Sequence, residues 1–520
     1  MLPGLPYRGG IVKRTITGFG GLDRSGGGGN GRIADMTNLC SDSAPLLSTR
    51  PPRYTVGFVG APNGIFCAGR LFVADGESLY ADGERLGTVE NSEKRFCALG
   101  ERVIVFPDKL IYENGALLPL EARYEATGLV FGDGSYAGES AENNSITTRG
   151  DPFPFRAGDA VTISGCAEKG NNKTSVIREI SADGKTLRFY ENTFTSATEA
   201  GAVALSRRVP DLDYICANEN RVWGCKGDTI WCCKLGDPYN WNVFDGLNTD
   251  AWSVETGTAG KFTACCAYLG YPCFFKEDRI FKVYGSKPSN FQAMGAPTLG
   301  VIPGADKTLA VAGETLFYLS RAGVTSYAGG IPAPAGAALG ETRFTGGAAG
   351  SDGLKYYLST LDVDGNCSLL VYDTQRGLWH REDDLKVLGT AYRDGLYALT
   401  ADSLLLLGRP ASIPAGSTPE AAVRSSVTFG DFDWNSFSGK YPTRLWLRAE
   451  SDAALTVEIA YDGGGWERVC EWTPGGTGSG YFPVPIRRCD RYRLRLSAPG
   501  PWKLRALETE YYDGSASRRP

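Results

Sequence analysis

The sequence predicts an all-β protein: a β-propeller of about seven blades, an inserted small β domain and a C-terminal β-sandwich. Three observations predict it. Glycine is very frequent, 68 of 520 residues, without a Gly-X-Y period, so the chain turns often and its strands are short. From about residue 60 to 410 one phrase recurs: a short apolar strand, a turn, an alternating strand ending in Tyr or Phe, another turn. No window sustains a helical period for three turns.

In chain order, residues 1–60 read as an N-terminal extended segment that joins the propeller. The first blades fill 61–121, in GIFCAGRLFVADGESLYADGERLG from Gly64 and KRFCALGERVIVFPDKLIYENGALL from Lys94. Turns of the GD, DG, NG and ED type separate their strands. Residues 122–210 break the rhythm. There Val161, Ile163, Val176, Ile177, Leu187, Phe189 and Phe194 mark the strands of a small β-barrel or sandwich, entered through the linker-like SYAGESAENNSITTRGDPFPF. The remaining blades occupy 211–409, with units starting at Tyr214, Ala264, Thr308, Lys355 and Val387. Blades bury their faces only against neighbours, so such an array has to close to be stable. After the linker RPASIPAGSTPEAA, residues 410–520 alternate cleanly. Leu455, Val457, Ile459 and Tyr461 share one strand face, and Tyr492, Leu494 and Leu496 another, as in half-buried antiparallel strands.

Composition narrows the function. A net charge of -5 gives no global reason to expect nucleic-acid or membrane-surface binding. No apolar run of signal-peptide or membrane-span length appears, so a cytoplasmic origin is expected, without a membrane anchor. The 14 cysteines, spread from Cys40 to Cys489 with no CxxC, read as small buried hydrophobes. The densest group, Cys225, Cys232, Cys233, Cys265, Cys266 and Cys273, lacks knuckle spacing, and the single histidine, His380, is distant; no metal site is expected.

No catalytic motif is complete in the sequence, and none is expected. Propeller sialidases repeat Ser-x-Asp-x-Gly-x-x-Trp turns; YDGGGWE at Tyr461–Glu467 comes near once, and reads as a hairpin turn with a packing Trp466. His380 reads as a surface or inter-blade side chain rather than a triad base. GGGGNG at Gly26–Gly31 lacks the Lys-Ser/Thr of a phosphate loop and reads as a turn. The 59 acids leave carboxylate pairs open. The expectation is a protein that is not an enzyme and carries no cofactor. One charge pattern stands out: Arg491, Arg493 and Arg495 alternate with Tyr492, Leu494 and Leu496 and so share one strand face. The plain reading is a solvated face paired with local acids such as Asp490 or Glu508. The sharper one is an interface, to an acidic neighbouring subunit or to DNA phosphates, with the protein partner preferred.

Several phrases resemble tailed-phage virion structural proteins, of phages or prophages of Gram-positive gut bacteria. They are GFGGLDRSGGGGNGRIADMTNLCSDSAPLLSTRPPR, NRVWGCKGDTIWCCKLGDPYNWNVF, FKEDRIFKVYG, GIPAP, NNKTSVIREI, PIRRCDRYRLRL and the terminal DGSASRR. VYDTQRGLW at Val371–Trp379 separately resembles the closing phrase of kelch-type blades. The phage resemblance implies a nozzle or packaged-DNA stabilisation component: copies in a ring, portal, adaptor or other tail proteins and tail fibres as partners, and DNA in passage. The place would be the virion tail, assembled in the host cytoplasm. The alternative is a receptor- or glycan-binding tail protein with the sandwich as a lectin-like module, and less favoured is a propeller glycosidase.

Overall fold

A computed structural model describes residues 10–26, 29–133, 144–190 and 194–514. Gly27 and Gly28 of the glycine run, stretch 134–143 of the expected linker and the tail from Ser515 lie outside the described residues. The fold is all-β and propeller-like. Among the described residues six four-stranded antiparallel meanders lie at 62–88, 95–119, 214–255, 264–297, 310–334 and 344–381, and a five-stranded sheet joins the three strands of 389–407 to Tyr54–Phe58 and Thr418–Pro419. By contacts the chain divides into two compact units, 68–301 and 1–67 with 302–520. Among the described residues no helix is long and apolar enough to cross a membrane.

In the unit 68–301 the blades show why short strands suffice. Their second strands are buried on both faces, as in Arg102–Phe106 (RVIVF) and Arg221–Lys226 (RVWGCK), so they read as apolar runs rather than alternations. The hairpins turn at Asp82–Gly83 and Asn114–Gly115, where both residues take positive φ, the mirror-image turn that matches strand twist. The insertion is an eight-stranded antiparallel sheet running from Ala122–Ala126 to Val203–Arg207. Phe131, Phe189 and Phe194 meet edge to face in its core, with ring centres 5.0–5.4 Å apart. All 14 cysteines are unpaired; Cys225 and Cys232 pack with Phe274 and Phe281, and burial pushes both thiols up.

The other unit holds the last blades and the sandwich. In the blade 344–381 Tyr372 and Trp379 stand opposite each other, ring centres 5.0 Å apart, and the indole donates to the Ala335 carbonyl. The blade 389–407 takes its next strand from far upstream, Tyr54–Phe58 pairing antiparallel with Ser403–Leu407. The sandwich consists of two sheets. One is built on Lys440–Ser451, Trp502–Asp513 and Gly476–Pro483, the other on Tyr492–Ala498, Leu455–Tyr461, Ser425–Phe429 and Glu467–Trp472. Leu455, Val457, Ile459, Tyr492, Leu494 and Leu496 are all buried.

Residues 1–60 correct one expectation. They do not simply join the propeller: Ile11–Ile16 and Leu47–Thr49 pair with Trp502–Asp513, and Ile33–Thr37 pairs with Ser425–Phe429. Among the described residues of this segment only Tyr54–Phe58 enters a blade. The reason is backbone accounting. An extended apolar segment whose Ile33, Met36, Leu39 and Leu47 are buried must bond its N–H and C=O groups to a sheet edge, and the sandwich offers edges. Buried ion pairs tie this segment down. Arg53 makes a two-pronged contact with Asp383 at 2.7 and 2.9 Å and a third bond to Glu382 at 2.8 Å, while Arg50 grips Glu420 at 2.7 and 2.9 Å.

Candidate functional site

The strand Lys440–Ser451 alternates, burying Leu445, Leu447 and Ala449 and exposing Arg444, Trp446 and Arg448. Trp446 therefore occupies a position of the polar phase, where an amphipathic strand ordinarily carries a charge or hydroxyl. Its neighbour Gly476–Pro483 alternates too, with Thr477, Ser479 and Tyr481 outward. The intervening glycines are needed because the Trp472 indole lies against that side. A Cβ on Gly478 would stand 3.3 Å from it, and one on Gly480 would stand 2.6 Å from the Phe482 ring. Trp472 and Phe482 in turn pack 5.6 Å apart.

Register brings the outward residues into line. One rung crosses four strands in the order Tyr481, Trp446, Glu508, Thr15. Trp446 is 36% and Tyr481 60% exposed, with ring centres 5.0 Å apart and planes 32° from parallel. Polar groups frame the two rings. Thr15 donates to Glu508 at 2.6 Å, and Lys13 stands 3.8 Å from Glu508 and from Glu510 and 5.4 Å from the centre of the Trp446 ring. On the other side Arg448 donates to Ser479 at 3.2 Å. The arrangement is an open aromatic strip with donors and acceptors along its borders, suited to holding a flat ligand face.

The three arginines lie on the outer side of the other sheet. Arg495 donates to Glu458 at 2.7 Å and stands 4.5 Å from the centre of the Trp466 ring; Arg493 stands 5.5 Å from the same ring. Arg491 is 3.3 Å from Asp431. Their acidic neighbours are thus supplied by other strands and loops, Glu458 from 37 residues upstream, rather than by the adjacent Asp490 or by Glu508, which belongs to the aromatic rung. YDGGGWE is a hairpin, Gly464 donating back to Tyr461, and it delivers Trp466 beneath Arg495.

His380 is buried, 3% exposed, in the strand Leu378–Arg381. It lies beside a group of acids that spacing did not bring to notice: Asp42, Asp352 and Glu382 line one cavity of about 180 Å³ together with Lys355 and Arg409. Burial pushes the Asp42 carboxyl up, but the hydrogen bond and charge of Lys355 and the charge of Arg409 outweigh it and hold the group below the ordinary range. These acids come from segments more than 300 residues apart in sequence, Asp42 and Lys355 being 313 apart, which is why no motif announces them. Trp446 and Tyr481 had a legible signal, an aromatic in the polar phase of an alternating strand.

No family model and no curated protein matches this chain. Solved structures do. An exo-β-1,3-galactanase from Phanerochaete chrysosporium covers 57% of this chain and 94% of its own at 10% identity and a TM-score of 0.20. A phage phi92 endosialidase covers 73% and 70% at 11% identity and 0.25. A family 43 arabinoxylan arabinofuranohydrolase from Bacillus subtilis covers 66% and 92% at 9% identity and 0.18. At these values the likenesses assign neither activity nor substrate to this chain. Two expectations are not kept: the reading as an inert nozzle or stabilisation-ring component, and as a protein that is not an enzyme. Glycoside hydrolases stand among the matches, and the glycan-directed alternative accords with them better than either.

Proposed function

We propose that this chain is a glycan-binding protein of a phage particle, with the C-terminal sandwich as its binding module and the Trp446–Tyr481 strip as the place where a sugar ring stacks. The observation that carries the proposal is a cross-strand pair of large aromatic side chains open to solvent, flanked by the polar Glu508, Thr15, Arg448 and Ser479. Leaving two adjoining rings in water forgoes the free energy of burying them, which a bound partner recovers. The faces of both rings are electron-rich and attract the weakly positive C–H face of a pyranose. Glu508, Thr15, Arg448 and Ser479 supply the mixed acceptors and donors that hydroxyls at the ring's edge need. The virion setting rests on the sequence phrases that resemble phage tail proteins, and in that setting the glycan is a surface polymer of the host.

A second reading, hydrolysis of a glycosidic bond, is favoured by one observation, the three carboxylates Asp42, Asp352 and Glu382 lining one cavity. Both readings are tested by applying the purified chain to an array of bacterial surface glycans and following reducing-end release from each glycan it retains. Retention that disappears in the Trp446→Ala/Tyr481→Ala double variant supports the proposal. Retention that is unchanged in that variant, or retention of no glycan, refutes it. Product formation abolished by Asp352→Asn adds the second reading, and no release from any retained glycan removes it.

A further inference from the structure

We propose that the cavity beside His380 binds a neutral polyol of monosaccharide size, a single sugar ring. The proposal rests on the carbohydrate-directed reading but concerns a different part of the chain from the sandwich strip. The cavity is framed by the strands Lys355–Asp362 and Leu378–Arg381 and by residues 40–51 of the N-terminal segment. His380 stands opposite Val371 in its sheet, and its Nδ1 is buried without a hydrogen-bond partner. The other polar groups on the wall have protein partners. Tyr357 donates to Asp352 at 3.2 Å, Lys355 and Arg409 both hold Asp42, and Arg53 holds Glu382 at 2.8 Å. His380 is the lining side chain that keeps an unbonded polar atom, and the cavity beside it is the place where a hydrogen-bonding occupant would be seated.

The wall selects the chemistry of that occupant. An anion would face the carboxylates of Asp42, Asp352 and Glu382, and an ammonium would face Lys355 and Arg409. An apolar molecule would strip water from all five charges without replacing its hydrogen bonds. A neutral polyol avoids each penalty, since every hydroxyl both donates, to a carboxylate, and accepts, from an ammonium or guanidinium. Burial, and then the charge of Lys355, push the His380 pKa down to about 3, so the imidazole is neutral in ordinary buffers and offers Nδ1 to a hydroxyl in either sense. About 180 Å³ is far more room than one ordered water requires.

The test is saturation-transfer NMR on the full chain with free glucose, galactose, mannose and N-acetylglucosamine, followed by titration of any binder. One or more of these sugars should bind, and His380→Phe, which keeps the ring's bulk and deletes both nitrogens, should weaken that sugar tenfold or more. The comparison is made in the Trp446→Ala/Tyr481→Ala background, which removes any sugar held by the sandwich strip, and binding to the cavity is read there. Tyr357→Phe, which removes one hydroxyl from the cavity wall, provides a second variant should His380→Phe not fold; it too should weaken binding. Saturation transfer to none of the four sugars, which means that the cavity holds water only, overturns the proposal. So does binding that survives both cavity variants, or binding lost only with the sandwich aromatics. Array retention that depends on Trp446 and Tyr481 is scored separately, so failure of the cavity and failure of the glycan-binding reading are distinguished.

Discussion

Trp446 and Tyr481 stand directly opposite each other on neighbouring strands, their rings 5.0 Å apart on the solvent side of a sheet whose other side buries Leu445 and Leu447. The pair is separable from the core that supports it. Trp446→Ala and Tyr481→Ala should therefore each change unfolding free energy by no more than about 1 kcal/mol, the upper end for a cross-strand aromatic pair. Each should weaken glycan binding at least tenfold, about 1.4 kcal/mol. Denaturant unfolding and calorimetric titration of the same preparations check both halves.

Arg53 is the hinge of a buried ionic cluster, its side chain 7% exposed against Glu382 and Asp383. Arg53→Met should destabilise the unit by up to about 3 kcal/mol, because it takes three hydrogen bonds from Glu382 and Asp383 and leaves them Arg50 alone, 3.6 Å from each. Thermal unfolding at neutral pH measures the loss.

The same cluster sets an acid limit. Burial raises the carboxyl pKa of Asp383 and of Glu420, but hydrogen bonds from Arg53 and Arg50 respectively outweigh it and hold both below their ordinary values of 3.8 and 4.5. Groups depressed in the fold stabilise it fully above their unfolded pKa and lose that contribution as pH falls through the folded one. Melting temperature should thus drop as pH is lowered below about 4.5, and less steeply in Arg53→Met.

His380 acts in the next window up. Its pKa is depressed to about 3 from 6.5 by burial and by Lys355, against the opposing charges of Asp42 and Asp373. Between those values the unfolded chain binds a proton that the folded chain refuses, so stability falls as pH falls from 6.5 toward 3 and the loss is complete below 3. The slope is about 1.4 kcal/mol per pH unit. His380→Phe should remove that slope from pH-dependent melts; an unaltered slope would refute the assignment.

Gly21, in the GFGGLD phrase, runs so close to Trp379 that a Cβ there would sit 2.2 Å from the Trp379 carbonyl oxygen, the atom that accepts from the Leu22 N–H at 2.6 Å. Gly21→Ala must push this segment off the strand Leu378–Arg381. The expected cost is about 1–3 kcal/mol, the range of overpacking, with Gly20→Ala, whose Cβ meets nothing, as the neutral control. Chemical unfolding of the two variants side by side decides it.

Much of the β architecture was legible in the chain because its signals are local. Asp82–Gly83 and Asn114–Gly115 announce hairpins, RVIVF reads as a doubly buried strand, and the Leu455–Tyr461 alternation shows a half-buried one. Pairing over long separations was not. Nothing near Ile11 or Ile33 indicates that their partners lie beyond residue 420, since an extended apolar segment takes whichever edge tertiary folding offers. The candidate sites divide in the same way. Trp446 and Tyr481 sit in alternating strands, and the phase of an aromatic can be read there. Asp42, Asp352 and His380 meet only after the N-terminal segment returns to the blade 344–381. Arg491, Arg493 and Arg495 share the face that their spacing indicated, but Trp466 and Glu458, brought in by other strands, are what they rest on.

The most direct test of glycan binding by the sandwich is a crystal structure of the chain soaked with the glycan it retains most tightly. A sugar ring lying over Trp446 and Tyr481, with hydroxyls bonded to Glu508, Arg448 or Ser479, is the predicted result. A sugar seated elsewhere on the molecule, with both rings bare, would contradict it.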